Sequence, residues 1–592
     1  MLHYIALYPN QYSEGMNDEI ILGTQDVPME DFIIMAMSEF EAIGNIKIES
    51  VEVVHDQDEV DINRHMVNIN FKKKDWDSVD IPKLKYTTDS RFGEIIFTIR
   101  ITTNLNEKVI VKRILFPIEH EGHFWNNGKR MKAIWQLVDA STYSQRGKNT
   151  LKSRLPIIVY QNKKRVIMDI DENPHMCSQY SYAQNVRTKR PGAKAKAKFL
   201  NPIMIFSAKM GWQNTAKFYG LDKVVFPVAT VLDDKDMYYY FPWNELFLKV
   251  DKTIFEKYDY VRSFICMTYH LSSKDFPVTL KNMNNPDYWV CRIGAIGAKK
   301  SKTLSTFKEK GITTLLMIEQ LLDKTTIMNL RLPHYYKHNI YYLLYWIMTN
   351  FDALRQKSNI DMANKRIRKN EYIVNSSLGK KINENIIRLI ERRGKSRMNT
   401  METLLELFNF GSDIIVSGMR NLNDLIKSDD LVNDNDFILD TAFSSKGYQS
   451  LGEGNGKKIA VKYRYIHPSM AGILDLNTSS NSDIGLSGSF TPFAQTYDGF
   501  YFTPEHEPCD ARYHFDCALS EDGVINLEDS DFDSYIARIT AEDEFAEMLK
   551  PIPILIVEKE SPSKDYAVPE YTSIEDYQQL MDEGDTAEEG NE

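Results

Sequence analysis

The stretch YIHPSMAGILDLNTSSNSDIGLSGSFTPFAQTYDGFYF, Tyr465 to Phe502, opens on a His-Pro, crowds small polar residues into its middle and closes on an aromatic, strand-like run. Asn477, Thr478, Ser479, Ser480, Asn481, Ser482 and Asp483 stand in a row. None of them brings burial energy and all favour turns, so this run is a loop and not a piece of core. Its reading depends on what such a loop would face.

At 592 residues the chain is too long for one core, and several domains are expected. A hydrophobic content of 43% with 26% charged residues is that of a globular protein, so disorder is not the default. No basic region precedes an apolar run in MLHYIALYPNQYSEG, and no apolar stretch reaches spanning length, so a soluble, intracellular protein without a membrane partner is expected. Five cysteines with no CxxC pair argue against a disulfide framework and for a reducing compartment. The formal charge of −11 is unevenly spread: from Glu521 onward there are 22 acidic and 4 basic residues, which leaves 61 acidic and 68 basic in the body. A polyanionic partner is therefore not excluded, and local clusters matter more than the sum.

Along the chain, MEDFIIMAMSEFEAIG has helical spacing, while VNINFKKKDW and GEIIFTIRITT alternate as strands do. LPIIVY and KRVIMDI are further strands, followed by the basic loop RTKRPGAKAKAK, Arg187 to Lys198, which carries Lys194 and Lys196. From His338 helices dominate: NIYYLLYWIMTNFDALRQ is amphipathic, and INENIIRLIERR puts Ile382, Ile386, Leu389 and Ile390 on one stripe. Loops and strands return from about Asp436, and the acidic end has the composition of a solvated tail. The fold class is α+β and multidomain.

Four constellations could carry chemistry. EGNGKK, Glu453 to Lys458, lacks the first glycine and the Ser or Thr of a phosphate loop and is a flexible basic loop. EHEGH, Glu119 to His123, spaces its histidines wrongly for a helical metal site, and a turn around Gly122 accounts for it. His506, Cys509, His514 and Cys517 have the count and types for a zinc site, with ordinary strand and turn residues as the alternative. NKRIRKN, Asn364 to Asn370, places Lys365, Arg366, Arg368 and Lys369 together, either to neutralise phosphates or as a solvated helix end. No nucleophile elbow and no DxDxD cluster are present, so the sequence shows no self-contained catalytic centre.

Several stretches resemble, in order, the β subunit of bacterial-type multi-subunit RNA polymerases. FPIEHEGHFWNNGKRMKAIWQL resembles that family's protrusion motif through Pro117, Gly122, Phe124, Asn127, Gly128, Gln136 and Leu137. KFLNPIMIFSAKMGW, Lys198 to Trp212, is similar to the lobe segment. NIDMANKRIRKNEYI resembles the return from lobe to protrusion through Asp361, Asn364, Lys365, Arg366 and Arg368. The opening stretch resembles the fork and active-centre segment through Arg464, His467, Pro468 and Gly472, then Thr478, Ile484, Gly485 and Leu486, then Ala494, Gln495, Thr496, Gly499 and Phe500. In that family the loop lines the cavity shared by template, RNA end and incoming nucleotide, and small polar residues suit such an approach.

The resemblance departs in two places. Ser479 to Asp483 replace the family's Pro, Glu, Gly, Pro and Asn, and the segment from His467 is one residue shorter, so contacts made by the missing Glu and Asn are not carried over. FILDTAFSSKGYQSLGEG matches the antibiotic-binding segment only at Leu439 and Asp440, which implies insensitivity to rifamycins. A chain lacking the second half of β is similar to the split β subunits of giant (jumbo) bacteriophage polymerases.

The resemblance implies a first part of the protrusion at 1–150, a lobe at 151–335, a helical return to the protrusion at 336–435, a fork region and start of the active-centre wall at 436–560, and an acidic tail at 561–592. It implies nucleic-acid contact by Lys365, Arg366, Arg368, Lys457, Lys458, Arg464, Lys194 and Lys196, and an active-centre lining of His467, Thr478, Asp483 and Asp440. Mg2+ would be held in the assembled enzyme by aspartates of a β′-type partner, with no metal or catalytic residue on this chain. Expected partners are a C-terminal β fragment, β′-type fragments, a promoter-specificity subunit, template DNA and nascent RNA, in the cytoplasm of an infected bacterium, with packaging in a virion left open. The competing reading is a non-enzymatic DNA-binding or assembly scaffold that has kept a polymerase-derived architecture.

Overall fold

GEIIFTIRITT alternates because it is the middle of a sheet. The strand Phe92–Thr102 pairs antiparallel with Ile46–Val54 on one side and Glu107–Pro117 on the other. Its odd-numbered Ile95, Phe97, Ile99 and Ile101 are buried, in one core with Phe32, Ile33 and Met37 of the helix Met29–Ser38. The computed structural model describes residues 27–55, 91–120, 123–126, 129–140, 142–144, 157–160, 165–172, 181–184, 200–230, 236–243, 246–257, 261, 264–265, 267–268, 271, 276–296, 303–320, 322–329, 340–349, 360–392, 400–428, 442–447, 450, 467–475, 485–491, 494, 496–497, 501–502 and 543–556. VNINFKKKDW lies outside them. LPIIVY and KRVIMDI supply the paired strands Ile157–Tyr160 and Arg165–Glu172, as expected of them.

The first core continues into the helix Lys380–Arg392, which buries the predicted stripe of Ile382, Ile386, Leu389 and Ile390. A second core gathers around the helix Pro202–Phe218, which starts where Asn201 caps it: the Asn201 side chain accepts from Ile203 N–H at 2.9 Å, and Pro202 occupies the first turn. Against it pack Pro286–Ala295 and Ile340–Thr349, the latter through Ile340 to Trp346. The helix Leu304–Glu319 lies on the seam, with Leu315 and Ile318 in the second core, Leu316 in the first, and Ile312 against both.

A third, smaller core sits on a six-stranded sheet assembled from remote parts of the chain. Its order is Ser487–Ser489, Ala442–Ser444, Trp135–Asp139, Lys365–Arg368, Tyr501–Phe502, Thr496–Tyr497. Only the Ala442–Ser444 and Trp135–Asp139 pair is parallel. Trp135, Leu137, Ile367, Phe443, Ile473 and Phe490 fill the core, and Phe443 and Phe490 stack with centroids 4.6 Å apart. The chain thus mixes helix and sheet, and among the described residues no helix is long and apolar enough to cross a membrane.

Candidate nucleic-acid interface

The basic cluster NKRIRKN is neither a solvated helix end nor an open phosphate cradle. Its Arg-Ile-Arg alternation is a strand signal, and Lys365–Arg368 becomes a central strand of the six-stranded sheet, in register as Arg366 with Val138, Ile367 with Leu137 and Arg368 with Gln136. Ile367 therefore joins the apolar face with Trp135 and Leu137, while Arg366 and Arg368 share the opposite face with Gln136.

On that face the two arginines are 3% and 0% exposed. Arg366 donates through both terminal nitrogens to Glu371, at 2.6 and 2.9 Å, and Arg368 donates to Glu371 Oε1 at 2.9 Å. Arg368 Nε also donates to Gln136 Oε1 at 2.8 Å, and Asn329 Nδ2 donates to Glu371 Oε2 at 2.8 Å. Burial alone would push the Glu371 carboxyl up, but the charges of Arg366 and Arg368 and their hydrogen bonds together outweigh it and hold it down at about 2. A phosphate cannot reach either guanidinium in this arrangement, which corrects the expectation of phosphate contact for Arg366 and Arg368. Their work is internal: Gln136 Nε2 passes the network on to Lys446 O at 2.9 Å, tying the strands at 135, 365 and 442 together.

The lysines at either side of the strand stand nearer the surface. Lys365 pairs with Asp139 at 2.5 Å and Lys369 with Glu119 at 2.6 Å, and Lys369 also lies 5.9 Å from the Trp135 ring centroid. The EHEGH histidines fall on a hairpin, with Glu119–His120 paired to His123–Asn126, and Arg130 approaches the buried His123 Nδ1 at 3.0 Å. Among the described residues no group of three or more His, Cys, Asp and Glu could hold a metal ion.

His467 opens the fork-like stretch as the cap of a short turn, Pro468–Met470: its Nδ1 accepts from Ser469 N–H at 3.3 Å and lies 2.7 Å from Ser469 Oγ. Met362 N–H donates to the same Oγ at 3.0 Å. This chain of bonds ties the 360s to the 467–475 segment. Gly472 beside it adopts φ +78°, a conformation glycine reaches without strain.

The structure thus brings Gln136, Leu137, Lys365, Arg366, Arg368 and, through Met362, His467 into one module. Lys194, Lys196, Asp440, Lys457, Lys458, Arg464, Thr478, Asp483 and the quartet His506, Cys509, His514 and Cys517 lie outside the described residues. Sequence reading missed Glu371, although an acid three residues past Arg368 and five past Arg366 was the visible sign of their counter-charge.

A family model described as "Non-virion RNA polymerase subunit" matches residues 10–509. No curated protein matches the chain.

Proposed function

The chain belongs to the non-virion RNA polymerase subunit family, and from that membership we propose that it is the N-terminal part of a split, phage-encoded β subunit. As an RNA polymerase subunit it is a component of a nucleotidyltransferase complex, with other polymerase subunits as its partners. In this reading it supplies the protrusion, lobe and fork, forming part of the DNA channel and one wall of the active centre. The observation that carries it is that strands from three remote stretches, Trp135–Asp139, Lys365–Arg368 and, between 467 and 502, Ser487–Ser489, Thr496–Tyr497 and Tyr501–Phe502, meet in one six-stranded sheet. Those are the stretches that resemble protrusion, return and fork segments of β.

Nucleic-acid contact would fall to Lys365, with Lys457, Lys458, Arg464, Lys194 and Lys196. His467, Thr478, Asp483 and Asp440 would line the active centre. Mg2+ would be held by a β′-type partner, and a C-terminal β fragment would complete the second half of the wall. The family's description, non-virion, favours a polymerase that acts in the infected cell over a packaged one.

Affinity purification of the chain from infected or co-expressing cells, followed by partner identification and nucleotide incorporation on a DNA template, tests this. Recovery of a second β fragment and β′ fragments with template-dependent RNA synthesis is expected. Recovery with DNA but without a β′ partner would overturn it in favour of the scaffold reading.

A further inference from the structure

Residues 543–556 follow the span matched by the family model and lie across the seam between the first two cores. Their helical end, Asp543–Met548 and the residue after it, seats Phe545 and Leu549, 4% and 0% exposed, in the second core. There Phe545 meets Phe218 edge-on at 5.5 Å. Their far end seats Ile554 and Ile556 in the first core, and Ile552 between them packs against both.

Hydrogen bonds fix the far end. Gly44 N–H donates to Ile554 O at 3.2 Å, and the Asn45 side chain closes a reciprocal pair with Ile556, accepting from its N–H at 2.9 Å and donating to its carbonyl at 3.2 Å. At the middle stands Glu319, in the last turn of the seam helix. It accepts from Ile552 N–H at 2.7 Å, from Tyr341 Oη at 2.6 Å and from Lys209 Nζ at 3.2 Å, while Lys209 also donates to Lys550 O at 2.5 Å. One buried carboxylate therefore holds the segment to helices of the second core at the point where it crosses to the first.

We propose that residues 543–556 are a staple that couples the two cores, with Glu319 as its latch, so that the N-terminal sheet body and the helical body open and close as one unit. The physical reason is linkage. Only four residues separate Leu549 from Ile554, so seating one end holds the other at high effective concentration over its own site. Releasing either end converts the other from a linked contact to a lone one. The staple is also made last among the described segments, so each body has its own core residues before it is joined. The seam helix Leu304–Glu319 also enters both cores, and the staple adds a second link beside it; the proposal holds whether or not the assembly transcribes.

The test is hydrogen exchange measured by mass spectrometry on the full chain, reading the end that the substitution does not touch. Leu549→Ala removes apolar contact only in the second core, yet should speed exchange of the Gly44 and Ile556 amides in the first core at least about tenfold. Asn45→Ala should do the reverse, speeding the Ile552 and Leu549 amides. Acceleration confined to the substituted end would overturn the staple. If Leu549→Ala does not fold, Glu319→Gln reports on the same amides: faster exchange at both ends supports the latch, and unchanged exchange at both refutes it.

Discussion

Glu371→Gln keeps the shape of the side chain and removes the one charge that Arg366 and Arg368 share. In the native arrangement four donor nitrogens converge on this carboxylate, which like both arginines is buried. Breaking a buried pair by neutralising one partner costs about 3–5 kcal/mol, because the remaining charge stays desolvated. Here two guanidinium charges remain, so the upper part of that range is expected, a large share of the roughly 5–15 kcal/mol that holds a domain folded.

The same carboxylate predicts an acid signature. The folded chain keeps Glu371 ionised down to about 2, against an ordinary value of 4.5. As pH falls through that window the unfolded chain binds the proton and the folded chain does not, so the stability contributed by Glu371, fully present above about 4.5, is lost. The difference corresponds to about 3 kcal/mol. Urea unfolding followed by circular dichroism at pH 7, and again at intervals down to pH 3, measures both effects. Glu371→Gln should lower the pH 7 stability and lose the part of the acid slope that belongs to this window. A cost under about 1 kcal/mol at pH 7, with an acid slope identical to that of the native chain, would refute the internal role assigned to the two arginines.

Lys112 donates to Phe408 O and Phe410 O at 3.0 and 2.5 Å, and burial pulls its ammonium down to about 8. Between that value and 10.5 the unfolded chain holds a proton that the folded chain has released, so the native chain should become more stable as pH rises through the window, by about 3 kcal/mol, a rise that Lys112→Met should lack in urea titrations. Lys365→Ala loses only a partly exposed ion pair and should cost under about 1 kcal/mol in thermal melts. In the assembled polymerase it should lower the salt slope of DNA binding by about one, whereas Arg368→Ala should destabilise the fold and leave that slope unchanged; equal slopes for Lys365→Ala and the native chain would count against phosphate contact. Gly472→Ala meets nothing within 4 Å, so its expected cost of about 1 kcal/mol comes from φ +78° alone, and Gly472→Asn should recover most of it in the same melts.

The elements that could be read in advance were those whose period repeats for several turns or pleats. Ile382, Ile386, Leu389 and Ile390 announce a buried helix face, and Ile95, Phe97, Ile99 and Ile101 a buried strand face, because one neighbouring layer decides them. The Lys365–Arg368 strand has four residues, too few for a period to stand out against its charge, and its nature is set by Trp135–Asp139, more than two hundred positions earlier. Counting positive charges there suggested phosphate; placing them requires knowing which face each occupies. The seam was hidden for the same reason: Glu319, Lys209, Tyr341 and Ile552 are four unremarkable residues until the fold brings them within hydrogen-bonding distance.

Burying two arginines against one glutamate is an expensive way to hold a sheet together, since apolar residues of similar volume stabilise as well or better. What the ionic face adds is directionality. An apolar strand could slip by two residues and still find apolar neighbours, but a slip here would part Arg368 from Gln136 and both arginines from Glu371, leaving buried charge unpaired. The register thereby fixed is the one that puts Lys365 opposite Asp139 and, through Ser469, sets His467 beside Met362. The two buried arginines act on the outer lysine and histidine by fixing where the strand that carries or supports them must lie. Loss of Glu371 should therefore disturb the surface module as a whole, whereas loss of Lys365 should remove one contact from it.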